Sequence, residues 1–150
     1  VCPRTKLHGN GLPDPLPRWG DHHFAPYNLY IRYAKEITLR NIAVTWGEAD
    51  LAELSFVPGG HPNWSCVECK DVTELIMDGV ICAQYGTGVA AVQLTNVKDV
   101  MVSRCRAREG TGTFLKALGV AKNIRLDGND LTLAAKSYEA AAGVLLDQPR

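Results

Sequence analysis

Lys35-Glu36-Ile37-Thr38-Leu39-Arg40-Asn41-Ile42 decides the fold, because the chain repeats its pattern three more times, at 73–80, 98–105 and 122–129. The four copies begin 38, 25 and 24 residues apart. The first interval is therefore one period plus an insertion of about 13 residues. One short strand per period of about 24 residues is typical of solenoid proteins.

Each copy contains two apolar residues that are two positions apart, which places both on one face of an extended strand. The four pairs are Ile37/Leu39, Leu75/Met77, Val100/Val102 and Ile124/Leu126. Stacked copies would align these pairs in continuous apolar columns. The residues between them are Thr38, Ile76, Met101 and Arg125. Two of these four are apolar, which is compatible with a strand or loop that covers the outer face.

A turn-forming position follows each pair: Asn41, Gly79, Arg104 and Gly128. Asn and Gly tolerate a positive φ, so a left-handed corner is expected there. It would direct a second strand whose inward residues are Ile42/Val44, Val80/Cys82 and Cys105/Ala107. A leucine-rich repeat would need a helix or a fixed Leu/Asn framework, and the sequence has neither. We predict an all-β, right-handed parallel β-helix of about four coils, with about 24 residues per coil.

The composition favours one globular unit with a substantial core. The chain has 150 residues, of which 46% are hydrophobic. Sixteen basic and sixteen acidic residues give a formal net charge of zero, which favours neither nucleic acid nor an anionic membrane as a partner. No apolar run is long enough to span a bilayer.

Residues 1–26 contain five of the eight prolines and show no periodicity, so we expect an irregular arm laid over the solenoid. The coils and a C-terminal cap would occupy 27–150. Trp19, His22 and His23 lie on this arm. They are candidates for binding a sugar ring and its acidic group. Alternatively, the aromatic residues anchor the arm while the histidines are solvated.

We expect the insertion of the first period at 58–71, with 51–57 as the strand equivalent to the one at 92–96. His61 and Trp64 on this loop are further candidates for substrate binding. His61, Cys66 and Cys69 are weak candidates for a zinc site that Cys2 or a histidine of the arm would complete. A Cys66–Cys69 disulfide and two inert thiols are the alternatives.

The remaining cysteines and the C-terminal region are assigned structural roles. Cys82 and Cys105 fall on inward positions and should pack as small apolar residues. Gly110–Leu115 should form a corner followed by a strand. The alanine-rich segment 134–142 predicts a short helix or final turn over the open end of the solenoid, followed by a terminal strand at 144–146.

Most of 12–131 resembles the downstream part of glycoside hydrolase family 28, the polygalacturonase and rhamnogalacturonase group of the pectate-lyase-like β-helix superfamily. The stretches that carry the resemblance are Leu12–Pro15, Trp19–Gly20, Pro26–Ile42, Thr111–Leu115 and Asn123–Leu131. These are scaffold motifs, so they indicate fold and kinship more than activity.

The resemblance implies hydrolysis of galacturonic-acid-containing glycans by an inverting mechanism with two carboxylates. The family's active centre uses Asn-Thr-Asp, Asp-Asp, Gly-His-Gly and Arg-Ile-Lys, and this sequence contains none of the four. We therefore assign no catalytic residue and no cofactor, and expect the chain alone to be inactive. It would be the C-terminal part of such a glycosidase, or alternatively a non-catalytic structural or carbohydrate-binding β-helix.

The same resemblance implies an extracellular or periplasmic location. Expected partners are a polysaccharide or oligosaccharide, and either a missing upstream segment or another copy at the open end of the solenoid.

Overall fold

The computed structural model describes residues 27–45, 65–85, 88–144 and 146–147, and within these ranges it contains β-strands and no helix. Every strand pairing recorded there is parallel. The strands are β1 (Tyr27–Arg40), β2 (Ser65–Asp78), β3 (Ile81–Cys82), β4 (Val92–Thr95), β5 (Lys98–Ser103), β6 (Arg106–Ala107), β7 (Thr111–Leu118), β8 (Lys122–Asp127), β9 (Ala134–Ala140) and β10 (Leu146–Asp147).

The four repeats lie directly above one another, as the sequence predicts. Leu39 pairs with Met77, Met77 with Val102, and Val102 with Leu126. A second column runs through Ile37, Leu75, Val100 and Ile124. The all-β, parallel β-helix prediction is therefore confirmed. Four rungs enclose about three complete turns, slightly fewer than the four coils that the sequence suggested.

A second set of paired strand segments in the same sheet, from β1, β2, β4, β7 and β9, also contributes side chains to the core. Leu29, Val67, Val92, Leu115 and Tyr138 form one of its columns. Val67, Val92 and Leu115 have no exposed surface. Burying such aliphatic side chains contributes on the order of 1.5–3 kcal/mol each. Stability therefore comes from apolar columns that run through all the coils.

Left-handed corners join the strand segments of each coil. The backbone has a positive φ at three sets of equivalent positions: Tyr33, Asp71, Asn96 and Gly119; Glu36, Glu74, Asp99 and Asn123; Asn41, Gly79, Arg104 and Gly128. The last set is the corner that the sequence predicts, and it is confirmed at all four positions. As expected, the strand after it places Val80, Cys82 and Cys105 inward with no exposed surface.

The expected position of the first-period insertion is wrong in part. Residues 65–71 belong to β2, where Val67 pairs with Leu29 on one side and Val92 on the other. The strand expected at 51–57 lies outside the described residues. The alternating apolar positions Val67 and Cys69 continue the columns of β1 and β4, which favours pairing over a loop. The arm at 1–26 lies outside the described residues.

The alanine-rich C-terminal segment is a strand, so the helix prediction is wrong. β9 pairs in parallel with β7 from Thr111–Ala134 to Ala117–Ala140. A helix at this place would leave the backbone N–H and C=O groups along the edge of β7 without partners. Pairing with β7 therefore overrides the helical propensity of alanine. The terminal strand is β10, which pairs with β8 through Leu146–Ile124 and Asp147–Arg125. The corner and strand expected at 110–115 are confirmed.

Candidate ligand groove

An open groove with a volume of about 500 Å³ crosses the stacked repeats on the outer face of β1, β2, β5 and β8. Its lining includes the outward residues Thr38, Ile76, Met101 and Arg125. The sequence suggested that a strand or loop covers this face. Within the described ranges no strand lies over it, and Ile76 is 42% exposed. We name this feature the repeat groove.

One wall of the repeat groove is a column of oxygen-bearing side chains at the left-handed corner. Its members are Glu36, Glu74, Asp99 and Asn123. Asn and Asp adopt a positive φ more readily than most residues, whereas the two glutamates hold it because their neighbouring strands are paired on this sheet. The corner thus aligns carboxylate and amide groups along the solenoid axis.

Cations and amides already pair with the carboxylates of this column. Lys35 lies 3.4 Å from Glu36 and 3.3 Å from Glu74 and so bridges two coils. Asp99 accepts a 2.6 Å hydrogen bond from Asn123 and lies 3.7 Å from Lys98. Lys35 and Lys98 therefore offset part of the negative charge of this wall.

A buried carboxylate lies at the far end of the same strands. The side chain of Asp78 is 6% exposed and accepts hydrogen bonds from Nε and Nη2 of Arg104, while Arg40 Nε lies 3.3 Å away. The hydrogen bond from Arg104 holds the pKa of Asp78 below its usual 3.8, and the charges of Arg104 and Arg40 add to this effect. Such a carboxylate links three coils and is poorly suited to donate a proton.

The expected substrate-binding residues Trp19, His22, His23, His61 and Trp64 all lie outside the described residues. They stay predictions. Cys66 and Cys69 are free thiols with no exposed surface, so no disulfide joins them. Burial, with a smaller contribution from Glu68, raises the pKa of Cys69 to about 12.

Within the described ranges, no three His, Cys, Asp or Glu side chains are grouped to hold a metal ion. The zinc hypothesis stays a prediction because His61 is outside these ranges. Cys82 and Cys105 face the core as expected, and both have no exposed surface.

The sequence missed the repeat groove, although it identified the residues that form its floor. Alternation correctly placed Thr38, Ile76, Met101 and Arg125 outward. It could not show whether another segment covers them. The signal that was available is the polar residue at the same place in each copy, Glu36, Glu74, Asp99 and Asn123. A position that is polar in each successive coil indicates a stack of side chains that faces solvent.

Hydrogen bonding and apolar contact are the chemistry available in the repeat groove. Oxygens of the corner column accept hydrogen bonds, Asn123 also donates them, and Ile76 and Met101 provide apolar surface. Arg125 supplies a cation that lies 4.0 Å from the carboxylate of Asp147. In the part of the chain that the structure describes, no helix is long and apolar enough to cross a membrane.

Comparison with protein-family models, with curated proteins and with solved structures finds no match for this chain.

Proposed function

We propose that this chain is the C-terminal β-helix part of a glycosidase similar to glycoside hydrolase family 28. In this proposal it contacts pectic, galacturonic-acid-containing polysaccharide and does not supply the catalytic carboxylates. The observation that carries the proposal is the repeat groove, which is open and runs across successive coils. Coils stack about 4.8 Å apart, so a groove across several coils suits an extended chain ligand.

The lining of the repeat groove matches the surface of a sugar acid. Carboxylate and amide oxygens of Glu74, Asp99 and Asn123 would accept hydrogen bonds from sugar hydroxyls. Ile76 and Met101 would contact the apolar face of a sugar ring. Arg125 would form a charge-assisted hydrogen bond with a uronate carboxylate. Of these groups, Arg125 is the one that would distinguish an acidic polysaccharide from a neutral one.

The pairing of the groove carboxylates supports a role in binding. A general acid and a general base each contribute about a hundredfold to ten-thousandfold to the rate, and each must be positioned on the reacting bond. Glu36 and Glu74 share Lys35, and Asp99 is engaged by Asn123 and Lys98. These contacts hold the carboxylates in place, and each carboxylate keeps further lone pairs that can accept a hydrogen bond from a sugar hydroxyl.

Affinity electrophoresis in gels that contain polygalacturonate tests the binding. We expect retardation by polygalacturonate and little by fully methyl-esterified pectin, which keeps the sugar and removes the charge. A reducing-sugar assay on the same samples should detect no product. Equal mobility in all gels would contradict the binding, and release of reducing sugar by the 150-residue chain would contradict the absence of catalysis.

The proposal includes an extracellular or periplasmic location and an upstream segment of the same polypeptide stacked on β1. In the described ranges β1 has β2 as its strand partner. The mass of the polypeptide isolated from its source is the measurement that checks this. A mass clearly above that of 150 residues supports an upstream segment, whereas an equal mass combined with self-association favours stacking of copies.

A non-catalytic carbohydrate-binding β-helix is the second candidate. It is favoured by the same engaged carboxylates, because a protein that only binds glycan needs no proton donor. The two candidates differ when any upstream segment is present: the first then predicts hydrolysis of polygalacturonate, and the second predicts binding alone.

A further inference from the structure

Tyr33 is an exposed aromatic residue at a left-handed corner of β1. Its backbone φ is 53°, and the residue is 52% exposed. The equivalent positions of the following coils carry Asp71, Asn96 and Gly119. Asn, Asp and Gly adopt a positive φ readily, whereas a bulky aromatic residue does so at a cost in conformational energy. At this corner β1 therefore carries an unfavourable residue type.

In the following coils the side chain at this corner connects neighbouring coils. The side-chain amide of Asn96 donates a 3.0 Å hydrogen bond to Oδ1 of Asp71. Oδ1 of Asn96 accepts a 3.0 Å hydrogen bond from the backbone amide of Val120. Tyr33 instead contacts Arg32, which belongs to the same strand. The contact with Arg32 does not join β1 to the next coil, so it does not offset the conformational cost in the way that these polar contacts do.

Arg32 holds the ring of Tyr33 in a fixed orientation. Its guanidinium carbon lies 4.4 Å from the centre of the Tyr33 ring and 6.0 Å from the centre of the Tyr30 ring. Nη2 of Arg32 also donates a 2.6 Å hydrogen bond to the hydroxyl of Tyr33. Because Tyr30 is only 6% exposed, it anchors the arginine to the body of the solenoid. An exposed ring that is already oriented loses little side-chain entropy when it binds a ligand.

Tyr33 lies one corner away from the wall of the repeat groove. Glu36 belongs to that wall and follows Tyr33 by three residues on β1. Lys35 lies between them and is 3.4 Å from Glu36 and 3.3 Å from Glu74. Tyr33 thus stands beside the repeat groove, where a ligand that extends across this corner would meet an aromatic surface.

We propose that Tyr33 is a stacking platform for a pyranose ring of the acidic polysaccharide that occupies the repeat groove. This inference rests on the proposed function and adds a subsite to it. The aliphatic C–H face of a sugar ring packs on the face of an aromatic side chain, where both surfaces are removed from water. Backbone strain of this kind is concentrated in residues that hold ligands. The platform would contact the sugar ring, whereas Arg125 would contact its carboxylate.

Tyr33→Asn separates a role in binding from a role in stability. Asn is the residue that the chain itself carries at the equivalent corner, at Asn96. We expect severalfold weaker retardation of this variant in gels that contain polygalacturonate. Its urea midpoint should be unchanged or higher than that of the wild type, because Asn adopts the left-handed backbone more readily. Tyr33→Phe keeps the aromatic ring and should keep most of the retardation.

Leu133→Asn is the matched control for the loss of an exposed apolar side chain. Leu133 is 55% exposed, close to the value for Tyr33, and it is not among the residues that line the repeat groove. Its replacement should leave the retardation unchanged. Equal losses in Tyr33→Asn and Leu133→Asn would overturn the platform, since the polysaccharide would then respond to apolar surface in general.

The remaining outcomes distinguish the platform from the proposed function. If the wild type is retarded and Tyr33→Asn is retarded equally, the platform is overturned and the proposed function stands. A loss in Tyr33→Phe as large as that in Tyr33→Asn would rule out stacking, because the ring is still present. A urea midpoint of Tyr33→Asn below that of the wild type would show that Tyr33 stabilises the fold, which also overturns the platform. A wild type without retardation would contradict the proposed function and the platform together.

Discussion

At the scale of single residues, Asp78 is the side chain whose pairing most depends on pH. Its carboxylate lies between Arg40 and Arg104, and we expect Asp78→Asn to lower the urea midpoint at pH 7. Both guanidinium groups are largely exposed, so solvent screens part of the effect. Asp127→Asn is the matched control, because Asp127 occupies the equivalent place two coils on but is exposed.

The pH dependence of the same pair has a definite sign. The pKa of Asp78 is lowered in the folded chain, so its contribution to stability is complete above its usual pKa of 3.8. That contribution is lost as the pH falls from about 4 through the lowered value. Urea midpoints measured from pH 7 to pH 2.5 should therefore fall less steeply in Asp78→Asn than in the wild type. If the urea midpoints of both proteins fell in parallel with pH, the ion pairs of Asp78 would contribute nothing to stability.

At the scale of elements, the corner at Gly119 depends on a close approach to Asn96. A Cβ added at Gly119 would lie 2.2 Å from Asn96 Oδ1, which accepts a hydrogen bond from the amide of Val120. A Cβ added at Gly128, which also has a positive φ, would have no neighbouring atom within 4 Å. We expect Gly128→Ala to cost about 1–2 kcal/mol for the left-handed backbone alone.

Gly119→Ala should cost about 1 kcal/mol more than Gly128→Ala, because it also breaks the Asn96–Val120 hydrogen bond. Free energies of unfolding from urea titration check the difference. Equal costs would mean that Asn96 moves aside without loss.

The strand β2 places two apolar neighbours in opposite environments. Leu75 has no exposed surface, whereas Ile76 is 42% exposed in the repeat groove. We expect Leu75→Ala to lower the free energy of unfolding by about 2–5 kcal/mol, since it leaves a cavity in the column. Ile76→Ala should change it by less than about 1 kcal/mol. Chemical denaturation distinguishes these values, and similar losses for both variants would contradict the inward and outward assignment.

An element can be predicted from the sequence when the residues that determine it lie close together in the chain. Alternation and a repeated turn residue placed Leu39, Met77, Val102 and Leu126 in one stack, because each copy carries the whole signal. The strand at 65–70 was missed because the interval between copies does not say on which side of a strand the insertion lies. β9 was missed because the edge of β7, which is distant in sequence, overrides the local propensity of alanine.

The same distinction between local and distant causes applies to the candidate site. The floor of the repeat groove follows from alternation, whereas its openness depends on what the rest of the chain covers.

At the scale of the whole molecule, charge arrangement matters more than net charge. The formal net charge is zero, so long-range attraction of a polyanion is weak. Recognition of an acidic glycan must then depend on individual cations at short range. Arg125 is the arginine that lines the repeat groove. Binding through such a contact should weaken as ionic strength rises, since exposed charges are screened.

Arg125→Ala tests this view of the proposed function. We expect severalfold weaker retardation by polygalacturonate, because the variant loses the charge-assisted hydrogen bond to a uronate group. Arg106→Ala is a closely matched control: both arginine side chains are 61% exposed, and each has an aspartate 4.0 Å or 3.7 Å away. Arg106 lies on β6 of the second sheet, outside the groove. If both variants bind equally less tightly, the polyanion is attracted by charge in general and the repeat groove is not its site.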